Sequence, residues 1–474
     1  MEKRLLLAVI LCSLAASGCS RYKGNPESAE TNQTLQEELP TAAPASVLPK
    51  KKPVKVKGIY ISGYMAGSEG VQDILDRTGG TEINTVVIDV KNDEGRITFA
   101  MENAPMVNEI GASEKYIGDI GSLMAQLKAR GLYTIARVVA FRDPYLAENK
   151  PEWSLKNGDG SLHRDNKGLA WVNPYRQEVW DYLVEVGKEA ARVGFDEIQF
   201  DYIRFATDST MKQVVFDEAD TKGRSKTDII TEFVEYVYEK LSESDVFISA
   251  DVFGTIIGSE VDAETVGQDY VEMAAHLDYI CPMIYPSHYG DGNFGLEHPD
   301  TEPYLAVLRA LKKSRQELDT LEGEEGKQAV VRPWLQDFTA SYLKHYISYG
   351  PDEIRAQIQA VYDAGYDEWI LWSASNRYTW EGLLSREAAK EEEVRIAQSR
   401  EAEAALTETS AEPLTETEAN SETKEPGKNE AEKSLEGDVA VTEGRPEEQE
   451  DVKNTDRKKN KSKPPVVIVT TGGA

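Results

Sequence analysis

Short apolar segments recur along residues 54–385, and most are separated by stretches with the apolar spacing of amphipathic helices. The segments predicted as strands are 58–62, 85–90, 133–139, 195–201, 246–252, 279–284, 330–335 and 369–373. The segments predicted as helices are 117–130, 177–193, 229–241, 304–317 and 351–364. Eight strands alternating with helices predict an α/β fold, the (β/α)8 TIM barrel. A doubly wound open sheet is the alternative, although residues 62–67 match its glycine-rich phosphate turn only weakly.

Alternation of apolar and polar residues within these strands predicts which side chains face the barrel interior. In 85–90 the even positions hold Val, Ile and Val, which form the outward row and leave Asp89 inward. By the same rule Asp201 points inward at the end of 195–201, and Ser249 and Asp251 do so in 246–252. Two further inward rows are Cys281, Met283 and Tyr285, and then Arg332, Trp334 and Gln336. Because active sites of this fold lie at the C-terminal ends of the strands, the rows predict a site there.

The converging residue types suit cleavage of a glycosidic bond. This reaction needs one protonated carboxyl group and one ionised one, and crowding two acids in a desolvated pocket separates their pKa values. We assign Asp201 as nucleophile or base and Asp251 as acid. The residues predicted to contact the sugar are Asp89, Arg137, Tyr202, Arg204, Tyr285, Trp334, Gln336, Asp337 and Trp372. The structural alternatives are that Asp201 caps the next segment or pairs with Arg204, and that the tryptophans fill the core.

The chain carries no sequence motif for a metal or a cofactor. It contains five His without H-E-x-x-H or H-x-H spacing, and no G-x-S-x-G nucleophile motif. We therefore expect no cofactor and no zinc, and the pattern disfavours an esterase. A divalent-metal hydrolase with Asp89, Asp201 and Asp251 as oxygen ligands is a further alternative.

Several motifs, in order, resemble a family of bacterial barrels of unknown function that are grouped with the glycoside hydrolases. They are W-V-N-P-Y at 171–175, G-F-D-E-I-Q-F-D-Y-I-R-F at 194–205, S-A-D-V-F-G at 249–254, the run 278–289 and R-P-W-L-Q-D at 332–337. The resemblance covers residues 56–380 and implies a distant relation to α-amylase-like glycosidases. In those enzymes the nucleophilic Asp ends strand four, where Asp201 matches. Their acid on strand five is usually Glu, whereas this chain has Asp251 there, with Glu260 as a substitute on the following loop.

The two ends of the chain differ in composition from the middle. Residues 1–18 read as a lipoprotein signal peptide that precedes a lipidated Cys19, and 19–53 as a disordered tether. Beyond the domain at 54–385, we expect the acidic tail 386–474 to be helical only at its start and disordered in the remainder. Residues 401–450 hold sixteen Asp or Glu and four Lys or Arg, a net charge of −12, which argues against nucleic-acid binding. Cys281, the third Cys, is expected to be a core residue without a disulfide.

These observations predict an extracytoplasmic lipoprotein, anchored to the membrane at the bacterial cell surface, that hydrolyses a polysaccharide or cell-wall glycan. The alternative function is a non-catalytic protein that binds glycans or acts as a scaffold on the same barrel. Salt bridges that neutralise both Asp201 and Asp251 would favour this alternative.

Overall fold

The computed structural model describes residues 52–321 and 328–410 and contains a closed parallel barrel. The strands are β1 Lys57–Ile61, β2 Thr85–Lys91, β3 Tyr133–Val139, β4 Glu197–Asp201, β5 Phe247–Phe253, β6 Tyr279–Met283, β7 Val330–Val331, β8 Trp334–Gln336 and β9 Trp369–Trp372. Neighbours pair in parallel in the order β5-β4-β3-β2-β1-β9-β8-β6-β7, and pairing of β5 with β6 closes the ring. The TIM-barrel prediction is confirmed, and the open sheet is excluded.

The seventh barrel position is shared by two short strands, β7 and β8. Both pair with β6, and β8 also pairs with β9. The break falls at Arg332-Pro333, since proline has no N–H to donate to the ladder. The carbonyl of Pro333 still accepts a hydrogen bond from the backbone of Ile370, at 3.0 Å. The segment predicted as one strand is therefore one barrel position in two pieces.

Helices surround the barrel, and the five helical segments predicted from apolar spacing are confirmed as α4, α6, α8, α11 and α12. The bounds are α1 Gly63–Ala66, α2 Val71–Thr78, α3 Pro105–Ile110, α4 Ile120–Ala129, α5 Pro144–Asn149, α6 Gln177–Val193, α7 Glu218–Thr221, α8 Lys226–Leu241, α9 Glu260–Val266, α10 Tyr270–Ala275, α11 Pro303–Leu318, α12 Pro351–Asp363 and α13 Arg386–Ser410. Local sequence determines several of these ends. Ser225 and Asp228 form a reciprocal capping box that begins α8, and Gly194, in the left-handed region at φ 107°, ends α6 immediately before β4.

Two apolar clusters confirm the predicted alternation of the strands. The larger cluster lies between strands and helices and contains Ile88, Ile198 and Phe200. The smaller one fills the barrel interior and contains Cys281, Tyr285 and Trp334 from the predicted inward rows. The carboxylates that alternate with the first set therefore project into the barrel.

A buried ion network occupies the barrel interior near the N-terminal ends of the strands. Arg332 donates to both oxygens of Glu197, at 2.8 and 3.0 Å, and to Glu368 at 2.8 Å. Tyr133 and Ser249 donate to Glu197 as well. Because every charge here has a partner of opposite sign and hydrogen bonds, the network is a structural base beneath the site rather than a reactive group.

Beyond the barrel, α13 is attached to it by ion pairs, with Glu393 on Lys57 at 2.8 Å and Arg400 on Asp367 at 2.7 Å. In the part of the chain that the structure describes, no helix has the length and apolarity required to cross a bilayer. The predicted signal peptide, Cys19, almost all of the tether and the tail beyond residue 410 lie outside the described residues.

Candidate active site

Arg137 is the centre of a polar cluster at the C-terminal end of the barrel. Its guanidinium is almost wholly buried and lies 2.6 Å from Asp201 Oδ2, to which Nε also donates at 2.8 Å. The same group donates to Asp89 at 2.8 Å and to Asp93 at 3.3 Å. Three carboxylates from separate strand ends and loops are thus held by one cation.

The position of Asp89 follows from strand register. Asp89 on β2 pairs directly with Arg137 on β3, so the two side chains are neighbours on the inner face. Tyr60 on β1 donates its hydroxyl to the other oxygen of Asp89 at 2.6 Å. Both Asp89 oxygens therefore have donors, although burial still raises the pKa of this carboxyl.

Asp201 is the last residue of β4, and the chain turns sharply after it. Tyr202 has a φ of 52°, in the left-handed region that non-glycine residues rarely adopt. This turn lets the Tyr202 backbone N–H donate to Asp201 Oδ1 at 2.6 Å. Strain of this kind is typical of functional sites, where the surrounding structure enforces it. The Asp201 carboxylate is therefore held by two guanidinium nitrogens of Arg137 and by the backbone N–H of Tyr202.

Asp251 on β5 has a different environment from Asp201. It is buried and accepts a hydrogen bond of 2.6 Å from the neutral indole N–H of Trp334. Burial, followed by the negative charge of Asp201, raises the pKa of Asp251 well above its usual range. The Trp334 bond and Arg137 act in the opposite direction with smaller effect. Asp251 is therefore protonated under conditions in which an ordinary aspartate is ionised.

Aromatic rings form one wall beside these acids. Trp372, the last residue of β9, is partly exposed and stacks on Tyr60 with ring centroids 4.3 Å apart. Trp334 packs edge-on against Trp372, with 5.5 Å between the ring centroids. The Arg137 guanidinium also lies 5.5 Å from the centroid of the Trp372 ring. Trp372 thus presents an aromatic surface next to the carboxylates, while Trp334 is buried behind it.

A second group of cations and rings follows β4. Arg204 lies against the rings of Tyr202 and Phe253, at 4.9 and 4.5 Å from their centroids. It does not carry the ion pair with Asp201 that the sequence left open, since Arg137 takes that place. Arg142 donates to the Tyr202 hydroxyl at 2.6 Å and lies 3.4 Å from Asp93.

Three predicted sugar contacts have their contacts with loop residues rather than with the cluster. Gln336 donates to Asp300 at 3.0 Å and accepts from the Ser287 backbone at 3.1 Å. Asp337 accepts from the backbone and hydroxyl of Thr379, at 3.0 and 2.7 Å. Tyr285 is buried edge-on to His288. Their sugar-binding role stays a prediction, and their hydrogen bonds hold the rim loops.

Tyr60 and Asp93 belong to the cluster but were not found from the sequence. The alternation of the predicted strand 58–62 could have identified Tyr60, since this residue lies on its inward row. Asp93 lies beyond the end of β2, and its position depends on the loop. Burial by itself raises the Asp93 pKa, but Arg137 and Arg142 bring it below its usual value.

Two alternatives from the sequence bear on this site. Glu260 begins α9 with an exposed side chain, unlike the buried Asp251. In the metal-hydrolase alternative a cation would lie between Asp89, Asp201 and Asp251. Arg137 supplies positive charge between the first two of these, and Trp334 donates to the third, so this donor set does not fit a divalent ion.

The family model described as "Putative glycosyl hydrolase domain" matches residues 58–378. A hypothetical protein from Ruminiclostridium thermocellum is 40% identical over 41% of this chain and 97% of its own, with a TM-score of 0.38. The PgaB (BpsB) glycoside hydrolase domain of Bordetella bronchiseptica is 12% identical over 68% of this chain and 94% of its own, with a TM-score of 0.49. The spore cortex-lytic enzyme SleL of Bacillus cereus is 10% identical over 71% of this chain and 76% of its own, with a TM-score of 0.40. No curated protein shows significant similarity.

Proposed function

The chain belongs to the family described as "Putative glycosyl hydrolase domain", and we propose that it hydrolyses glycosidic bonds with Asp201 and Asp251 as its two catalytic carboxyl groups. The observation that carries the proposal is the contrast between their surroundings. Asp201 is bonded to a guanidinium, whereas Asp251 is buried against a neutral indole and has a strongly raised pKa. A buried carboxyl group with a raised pKa, beside a second carboxyl group bonded to a cation, is the arrangement that suits an acid and its nucleophile or base.

In the proposed reaction Asp251 transfers its proton to the leaving glycosidic oxygen as the bond to the anomeric carbon breaks. The carboxylate of Asp201 attacks the anomeric carbon or takes a proton from the attacking water. In the first route a water that gives its proton to Asp251 then cleaves the bond between Asp201 and the sugar. In the second route Asp201 releases its proton to solvent, and Asp251 takes up a proton from solvent before the next cycle. Arg137 holds Asp201 in place, which makes it a positioning residue.

The substrate class we propose is a polysaccharide or cell-wall glycan. The exposed side of Trp372 offers a ring on which a sugar face can stack, and the Tyr60 ring behind it holds the ring in place. The predicted sugar contacts Arg204 and Tyr202 lie on the chain that follows Asp201, where Arg204 is buried and Tyr202 is partly exposed. Rigid aromatic platforms with few polar groups are typical of pockets that bind ligands.

The function is tested by incubating the purified full-length protein with a panel of glycans and measuring released reducing ends. We expect hydrolysis of at least one glycan, and Asp251→Asn is expected to slow it by about 10²–10⁴-fold, since the general acid is lost. Because asparagine resembles the protonated aspartate and can still accept from Trp334, the melting temperature should hardly change. Glu185→Gln is the matched control: Glu185 lies on α6, burial raises its pKa too, and its removal should leave the rate unaltered.

The second candidate, a glycan-binding protein without catalysis, is favoured by one observation: both oxygens of Asp201 are engaged, by Arg137 and by the Tyr202 backbone. This candidate predicts tight binding of a glycan that stays intact, with Asp251→Asn binding as well as the wild type. Binding measured by calorimetry on the same panel, with no reducing ends released, would replace the enzyme proposal.

The location we propose is the outer face of the bacterial membrane, through a lipid on Cys19. A signal peptide ending in small residues before a Cys supports this assignment. Cys19→Ser is expected to move the protein from the membrane fraction to the soluble fraction, as measured by immunoblotting, while Cys281→Ser is expected to leave it in the membrane. Equal membrane retention of Cys19→Ser and wild type would contradict the anchor.

A further inference from the structure

Three metal-ligating side chains meet on two loops at the C-terminal side of the barrel. Asp291 and His298 lie between β6 and α11, and His345 lies between β8 and α12. Asp291 Oδ1 is 3.0 Å from His298 Nδ1, and Asp291 Oδ2 is 3.4 Å from His345 Nδ1. One ligand atom from each residue lies within 4.8 Å of the other two.

These separations suit a small transition-metal ion. Zn²⁺ binds imidazole nitrogen and carboxylate oxygen at about 2.0–2.2 Å, which in a tetrahedral shell places ligand atoms about 3.3 Å apart. The two contacts of Asp291 are close to that spacing. All three side chains are at least partly exposed, so small rotations can bring the imidazole nitrogens together around an ion. Three protein ligands leave a fourth position for water.

The arrangement of the two imidazole rings is a second, independent observation. The rings of His298 and His345 lie with centroids 3.7 Å apart and planes tilted by 35°. Ring nitrogens on two imidazoles this close can bind the same ion. A single divalent ion shared by both rings would also balance the charge of Asp291.

The surroundings of His298 add the outer carboxylate that metal-bound histidines usually have. Glu297 Oε1 lies 3.6 Å from His298 Nε2, the ring nitrogen opposite the one that faces Asp291. A small rotation of the exposed Glu297 side chain would bring its carboxylate within hydrogen-bond distance of this nitrogen, where it would orient the ring. The ligand set of nitrogen and oxygen favours Zn²⁺ or a similar ion over Ca²⁺, which takes six to eight oxygens.

We propose that Asp291, His298 and His345 bind a divalent transition-metal ion of the Zn²⁺ class, which joins the loop after β6 to the loop after β8. The inner parts of these loops are already connected, since Gln336 bonds to Asp300 and Tyr349 donates to the Asp300 carbonyl. The ion would connect their outer parts at the rim of the barrel. The inference is independent of the glycosidase proposal, because these three residues lie outside the carboxylate cluster.

The test is calorimetric titration of untagged full-length protein, freed of metal with a chelator, with Zn²⁺ at neutral pH. We expect one site per chain, an affinity at least about tenfold lower in His345→Asn and in Asp291→Asn, and no competition from Ca²⁺. His276→Asn is the matched control, since His276 is a partly exposed histidine 3.1 Å from Glu235 and should leave the affinity unaltered.

Melting temperature provides a second readout that does not depend on activity. An ion that binds only the folded chain raises the melting temperature, so Zn²⁺ should stabilise the wild type and His276→Asn but not His345→Asn. Equal Zn²⁺ affinity in the wild type and His345→Asn overturns the proposal. So does a Zn²⁺-induced rise in melting temperature that persists when His345 is replaced.

Discussion

Asp201→Asn is expected to reduce the rate of glycan hydrolysis by about 10²–10⁴-fold or more. The amide can neither attack the anomeric carbon nor accept a proton from water, while the binding surface at Trp372 stays intact. The loss should therefore appear in kcat rather than in KM. Unlike Asp251→Asn, this substitution also removes a charge from Arg137, so the melting temperature should fall as well.

The matched control for this prediction is Asp196→Asn on the residue before β4. Asp196 accepts from the backbone and hydroxyl of Thr134, at 3.0 and 2.8 Å, at the opposite end of the same strand. The Asp196→Asn variant should hydrolyse glycans at the wild-type rate. Full activity of Asp201→Asn, on a glycan that the wild type cleaves, would remove Asp201 from the mechanism. Formate added to Asp201→Ala, as a small carboxylate that can fill the vacated place, should restore part of the rate.

Arg137→Met is expected to lower the free energy of unfolding by about 3–5 kcal/mol at neutral pH, because it leaves buried carboxylates without their cation. Arg137 lowers the pKa of both Asp89 and Asp93. Without it, those pKa values rise in the folded state only, so the folded chain binds more protons than the unfolded chain. Stability of the variant must then fall as the pH rises above the ordinary aspartate pKa of about 3.9. In acid, the difference in free energy of unfolding between Arg137→Met and the wild type should become smaller again.

Denaturant unfolding at several pH values measures this effect. Arg164→Met is the control, since Arg164 makes an exposed ion pair with Glu148 at 2.9 Å and should cost less than about 1 kcal/mol. The assigned network would be contradicted if Arg137→Met lost as little free energy of unfolding as Arg164→Met. A loss in Arg137→Met that does not vary with pH would contradict it as well. Replacing Asp89 and Asp201 by Asn together with Arg137→Met should recover part of the stability, because the unpaired charges are then removed.

The positions of the strands and the direction of their side chains were predictable because both depend on residues that are neighbours in the sequence. A residue such as Asp89 faces inward since its neighbours in sequence, Val and Ile, must face the helices. All eight barrel positions follow from such alternation and length. The break at Pro333 was also visible in principle, since proline lacks the N–H of a central strand.

The pairing of inward side chains was not predictable in the same way. Arg137 was predicted to contact sugar, yet its hydrogen bonds go to Asp89, Asp93 and Asp201, which lie 44 to 64 residues away. Arg332 was placed on an inward row, but only barrel closure brings it to Glu197, 135 residues earlier. The His298 and His345 pair, on two loops, has no spacing motif at all.

Alternation of apolar and polar residues determined by itself the eight strand positions and turned Asp201 and Asp251 inward, at the end of β4 and near the end of β5. Only the tertiary structure decided that Arg137 holds Asp201 while Trp334 faces Asp251, whose pKa is raised by burial and by the charge of Asp201. The reason is physical: the direction of a side chain depends on its own strand, whereas a pKa depends on the charges and burial that other strands bring to it.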